Sequence, residues 1–296
     1  MEYKEEYQQA LAPQYECLLF GKLSCSDPFK ILRFYCFFNV DDTLYPLSSG
    51  LSKACTKNIE EYMVQKLGIE EEKVPEMNRM LYKNYGTTMA GLKAIGYDFD
   101  NDDYHRFVHG RLPYDALKPD HVLRSLLLSM PFRKVIFSNA DKGHVAKALS
   151  RLGLEDCFDL VISFETLNPT TNENDNAYDN VVHIPCQPNS TSELPMSPVI
   201  CKPFENAFIQ AFKAGSINPQ RTLFFDDSIR NIQCGKRMGL HTVHVGTSHR
   251  GNGVDYALES IHNIREALPV LWEAINEESG SIEYPRKMAI ETSVKA

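Results

Sequence analysis

The chain has 296 residues, 43% of them hydrophobic and 24% charged, which is enough apolar material for one large domain or two modest ones with a true core. A formal net charge of −8 argues against a general affinity for nucleic acid polymers or anionic membranes, although a local basic pocket can still hold a phosphate. No apolar run reaches the roughly 18 residues of a membrane span, and the charged start Met1-Glu2-Tyr3-Lys4-Glu5-Glu6-Tyr7 leads into no signal-type stretch, so the cytoplasm is the expected location and the nucleus the alternative.

Residues 1–14 are polar and read as a mobile arm. Two apolar runs then compete for one buried strand: Cys17-Leu18-Leu19-Phe20, and the aromatic run Phe34-Tyr35-Cys36-Phe37-Phe38. The stretch between them, taken as 21–39, reads as an insertion, either a natural elaboration or a translated intron. From 49 to 113 the period turns helical, with Leu51, Cys55, Ile59 and Met63 on one face and Val74, Met77, Met80 and Leu81 on another. The core returns at 114. A helix over 120–129 turns Val122, Leu123, Leu126 and Leu127 inward, followed by strand 134–138, helix 143–152 and strand 160–163. Residues 170–198 form a long polar loop. A helix to about 214, strand 222–225, helix 229–238 and strand 241–245 follow, then an amphipathic segment with Ile261, Ile264, Leu268, Leu271 and Trp272, and a loose tail over 278–296. Regular alternation of strand and helix predicts an α/β parallel sheet, with core segments 15–48 and 114–277 around a helical block at 49–113. The eight cysteines form no Cys-x-x-Cys pair, and several lie in apolar runs, so they read as reduced core residues.

Four short polar motifs sit where strands end. Asn39-Val40-Asp41-Asp42-Thr43 follows the aromatic run; it can hold a metal and a phosphate, or be a solvated turn capped by Asp42 or Thr43. Ser138-Asn139 follows Lys134–Phe137; by itself the pair is a weak signal that a turn or a helix N-cap explains. Lys202-Pro203 follows an apolar run. Asp226-Asp227-Ser228 follows Thr222–Phe225; adjacent carboxylates on a buried strand repel unless a cation lies between them, although Asp227 can also cap the next helix. Tyr85-Gly86-Thr87-Thr88 offers hydroxyls over a substrate, or is an ordinary interhelical turn. No Gly-x-Gly-x-x-Gly follows a predicted strand and no Gly-x-Ser-x-Gly elbow is present, which leaves dinucleotide-binding and Ser/His/Asp readings without support. His105, His109, His241 and His244 read as helix-surface or strand residues.

In their order along the chain, these motifs resemble the haloacid dehalogenase-like phosphohydrolase superfamily, whose first motif is Asp-x-Asp-x-Thr after an apolar strand. Asp-Asp-Thr-Leu-Tyr-Pro, Tyr-Gly-Thr-Thr, Phe-Ser-Asn-Ala-Asp and Phe-Phe-Asp-Asp-Ser are similar to its pyrimidine 5′-nucleotidase-like branch. The resemblance implies a Rossmann-like parallel sheet with an inserted α-helical cap. It also implies Mg²⁺-dependent hydrolysis of small phosphorylated metabolites, nucleoside 5′-monophosphates first. By the same resemblance Asp41 is the general acid/base; Ser138, Asn139 and Lys202 hold the phosphoryl group; Asn39, Asp41, Asp226 and Asp227 surround the metal; and Tyr85, Thr87 and Thr88 face the substrate. Asn39 stands where the family carries the nucleophilic aspartate. A neutral amide is a poor nucleophile and a weaker metal ligand, so little turnover is expected, and a non-catalytic member that binds a phosphorylated ligand or a protein is the alternative. Substrate identity and oligomeric state are not legible in the sequence.

Overall fold

The computed structural model describes residues 35–169 and 194–272. The readings made for the N-terminal arm, the Cys17–Phe20 run, most of the inserted stretch, nearly all of the polar loop and the tail lie outside the described residues. The strands are β1 (Tyr35–Phe38), β2 (Arg133–Phe137), β3 (Leu160–Ile162), β4 (Thr222–Asp226), β5 (His241–Val245) and β6 (Tyr256–Leu258). They form one parallel sheet in the order β3-β2-β1-β4-β5-β6. The second of the two competing runs therefore supplies the central strand, and the end of the stretch read as inserted belongs to the sheet.

Because helices cover both faces, the central strands are apolar without alternation. Cys36 and Phe38 point to one face, where they join Ile136, Phe225 and Val243 under α5 (His121–Ser129) and α6 (Lys142–Leu152). Phe37 points to the other, joining Val135, Phe137 and Phe224 under α7 (Phe164–Leu167), α8 (Glu205–Gly215) and α9 (Ile229–Arg237). The Phe38 and Phe225 rings stack at 4.6 Å, locking β1 to β4. The chain leaves β1 towards β2 and β3 on one side, and β4 to β6 continue on the other. The crevice at the carboxyl ends of β1 and β4 is thus a topological switch point, where doubly wound sheets hold ligands.

Between β1 and β2 lies the cap, made of α1 (Leu51–Gln65), α2 (Val74–Tyr85), α3 (Thr88–Ala94) and α4 (Asn101–Val108). It has its own core around Tyr62, Met63, Val74, Leu81, Tyr85 and Met89. Two expected inward residues turn outward: Met80 is 47% exposed and Val122 62% exposed. Each precedes a buried leucine, and one residue along a helix is a rotation of about 100°. Asp100 and Thr87 cap α4 and α3, and Asp120 and Asp141 cap α5 and α6. After β6, which the sequence reading did not foresee, Ile261, Ile264 and Leu268 pack on the first face, and the Trp272 indole donates to Ser129 Oγ at 2.9 Å. The five cysteines among the described residues are free thiols, four of them buried.

Candidate active site

Parallel register brings three chain segments together. Phe38 pairs with Ile136 on one side and Phe225 on the other, so Asn39, Ser138 and Asp226 follow on neighbouring strand ends. The Asn39 backbone N–H continues the ladder to Phe225 O at 2.9 Å. Lys202 enters from the segment before α8 and is 1% exposed. Its ammonium donates to Asp226 Oδ2 at 2.7 Å, to Phe137 O at 2.6 Å and to Asn39 Oδ1 at 3.2 Å. All three protons are thereby used, so Lys202 acts on a neighbouring anion through its field rather than through a spare proton.

The Asn39 amide nitrogen donates to Asp227 Oδ1 at 3.0 Å and Asp41 O at 2.9 Å, with Thr43 Oγ1 at 3.4 Å. The network fixes this orientation, because a flipped amide would set its NH₂ against the Lys202 ammonium. Asn39 therefore aims a donor at two of the oxygens expected to face a cation. Asp226, a third expected ligand, has both oxygens engaged: Oδ2 by Lys202, and Oδ1 by Ser228 N and the Asn231 amide, each at 2.9 Å. These two side chains do not fit a magnesium ion as they stand. Asp227 and the Asp41 carbonyl do offer hard oxygens. Burial, helped by the charges of Asp226 and Asp42, pushes the Asp227 carboxyl up to about 7, the condition a cation relieves. Burial also raises the Asp42 carboxyl; Asp42 has φ of 51°, accepts from Ser52 Oγ at 2.5 Å and leaves its other oxygen buried without a partner.

The Asp41 carboxylate is anchored from outside the strand ends. Its Oδ1 bonds His144 Nε2 at 2.7 Å and accepts from the Tyr45 hydroxyl, while His144 Nδ1 meets Tyr114 OH at 2.8 Å. Burial alone would raise the Asp41 pKa, but His144 and Tyr45 hold it below the ordinary carboxylate range, and Asp41 in turn lifts His144 against its own burial. Asp41 is thus a charged, oriented carboxylate rather than a ready proton donor.

Ser138 is 1% exposed; its oxygen accepts from Ala140 N at 3.1 Å, and it lines the cavity. Asn139, expected on the phosphoryl group, clamps the Lys202 backbone: Nδ2 donates to Lys202 O at 3.0 Å and Oδ1 accepts from Lys202 N at 2.8 Å. It holds the lysine in place with one N–H and its carbonyl oxygen, and it also lines the cavity. Of the cap turn, Thr87 and Thr88 line the cavity, while Tyr85 packs into the cap core. Thr87 Oγ1 caps α3, and Thr88 Oγ1 donates to Asn78 Oδ1 at 2.5 Å.

The cavity between cap and sheet has a volume of about 620 Å³, within the range of small-ligand sites. Its walls include His105, His109 and His144, which the sequence reading passed over. His105 and His109 are not surface residues: they sit one turn apart on the inner side of α4, and burial drops the His105 pKa to about 4. The spacing i, i+4 was the available signal. His144 and Tyr45 gave none, since each is recognised only by its contact with Asp41.

No family model matches the chain. It is 26% identical over 222 residues, 71% of its own length, to Phosphate metabolism protein 8 of Saccharomyces cerevisiae, and spans about 60% of that relative. Solved structures with a similar fold include a HAD phosphatase from Thermococcus onnurineus (16% identity, TM-score 0.47, covering 79% of this chain and 96% of that one). A beta-phosphoglucomutase from Clostridium difficile is similar at 14% identity and TM-score 0.47, covering 84% and 99%.

Proposed function

We propose, for a chain that belongs to the haloacid dehalogenase-like superfamily, the site of a phosphomonoester hydrolase whose turnover is suppressed by Asn39. The substrate class is small phosphorylated metabolites, nucleoside 5′-monophosphates of the pyrimidine 5′-nucleotidase-like branch first. One observation carries the reading: at the carboxyl end of the central strands Asn39 bonds both Asp227, at 3.0 Å, and Lys202, at 3.2 Å, each from a separate segment. Phosphate monoesters resist attack because a dianion repels an anionic nucleophile, and a site of this kind must neutralise and orient before it can react.

In the chain as written, Ser138 faces the phosphoryl group and Lys202 supplies a fixed positive field. Asp41 stays ionised on His144 and Tyr45, and the cap hydroxyls close the cavity. Asn39 cannot form an acyl-phosphate, because its amide oxygen is neutral and already accepts from Lys202. A phosphorylated ligand would therefore be held without being cleaved. The second reading, a non-catalytic phospho-ligand-binding member of the same fold, describes this chain if that is its working state; it is favoured by the Asn39 amide nitrogen being fully satisfied by Asp227 and Asp41.

A phosphate-release screen with nucleoside monophosphates and sugar phosphates, run in magnesium on the parent and on Asn39→Asp, tests the proposal. The variant is expected to gain about 10³-fold or more over the parent. Full activity in the parent, or no gain in the variant on any compound, would refute it.

A further inference from the structure

A second cluster of ligand-type side chains lies across the same cavity, apart from the strand-end set. His105 projects from α4 of the cap and His109 is that helix's C-cap, while Asp141 stands at the N-cap of α6 in the sheet core. One ligand atom from each lies within 4.8 Å of the other two. Asp141 Oδ2 bonds His109 Nδ1 and is 3.6 Å from His105 Nδ1, while Oδ1 caps the helix by accepting from His144 N at 3.0 Å. The two imidazoles lie nearly parallel, with centroids 5.4 Å apart.

His105 is the telling residue. It is 8% exposed, and both of its ring nitrogens are buried without a hydrogen-bond partner. A buried polar group without a partner is destabilising, so a side chain kept in this state is better explained by a partner that the protein atoms do not supply. A phenylalanine would fill the same space against Phe164 and Tyr104 without that cost.

We propose that His105, His109 and Asp141 form a binding site for a borderline divalent transition metal of the Zn²⁺ class. Two imidazoles and one carboxylate match that ion's preferred donors and not those of magnesium, which takes oxygen alone. Metal–ligand bonds of about 2.0–2.2 Å would draw the three atoms to separations near 3.4 Å, a contraction that side-chain rotation on α4 can supply. For His109 to bind the metal through Nδ1, that nitrogen must carry no hydrogen: the neutral ring then bears its hydrogen on Nε2, and an imidazolium would release one proton to solvent as the metal binds. Two ligands belong to the cap and one to the core, so the ion joins them, and its remaining coordination positions are left to water or to a ligand in the cavity.

The test uses the full chain freed of metal by a chelator, with Co²⁺ as a spectroscopic probe and Zn²⁺ as competitor. The parent is expected to bind one Co²⁺ with visible absorption of low-coordinate nitrogen–oxygen type, lost on adding Zn²⁺. His105→Gln and Asp141→Asn, the latter keeping a good helix cap, are each expected to weaken binding by about 100-fold or more. Asp227→Asn, which alters the strand-end site, leaves it unchanged. Circular dichroism without metal checks each variant's fold, and His109→Gln replaces any that fails. Absence of stoichiometric binding by the parent, equal binding by the His105 and Asp141 variants, or loss in Asp227→Asn would overturn the proposal.

Discussion

Lys202 shows what a single buried side chain does here. Its ammonium and the Asp226 carboxylate are 1% and 0% exposed, and each satisfies the other while being bonded further on both sides. Removing one partner of such a pair leaves an uncompensated charge, which costs about 3–5 kcal/mol. Lys202→Met is therefore expected to lower unfolding stability by that amount in denaturant titration, and Lys202→Met with Asp226→Asn to recover a large part of it. A single variant as stable as the parent would contradict the pairing. Asn39 is tied to the same network, so under the proposed reading its identity matters twice: it sets a neutral amide at the position proposed for the nucleophile, and it turns a donor towards Asp227 Oδ1 and Asp41 O.

Between elements, a close contact is made by the turn joining α2 and α3. Gly86 has φ of +81°, and a Cβ there would lie 2.4 Å from Lys202 O and 2.8 Å from Pro203 Cδ. The cap thus rests directly on the segment that presents the lysine, and only glycine permits both the backbone conformation and the approach. Gly86→Ala is expected to cost about 1–3 kcal/mol from backbone strain alone, and more from the displaced segment, as a lower midpoint in thermal or denaturant unfolding. An unchanged midpoint would show that cap and lysine segment do not touch. Most elements were legible because long apolar or periodic runs marked them. The three-residue β6 has no such run, and Asn78, buried on α2 between Glu60 and Thr88, looks like a surface residue until the helices pack.

Across the whole molecule, the strand-end residues could be read in advance because each lies directly after an apolar run that the sheet must bury. The contacts that orient them could not. His144 reaches Asp41 across 103 residues of sequence, and the His105–His109–Asp141 cluster exists only when the cap closes on the core. Their side chains are ordinary at their own positions and gain meaning from tertiary placement alone. Asn39 was visible as a departure from the family pattern, yet the direction of its amide came only with the fold. The most direct measurement is a calorimetric titration of the parent and of Asn39→Asp with magnesium. Exchanging an NH₂ donor for a carboxylate oxygen beside Asp41 O and Asp227 should tighten binding by about tenfold or more, and equal affinity in the two proteins would contradict the reading of Asn39.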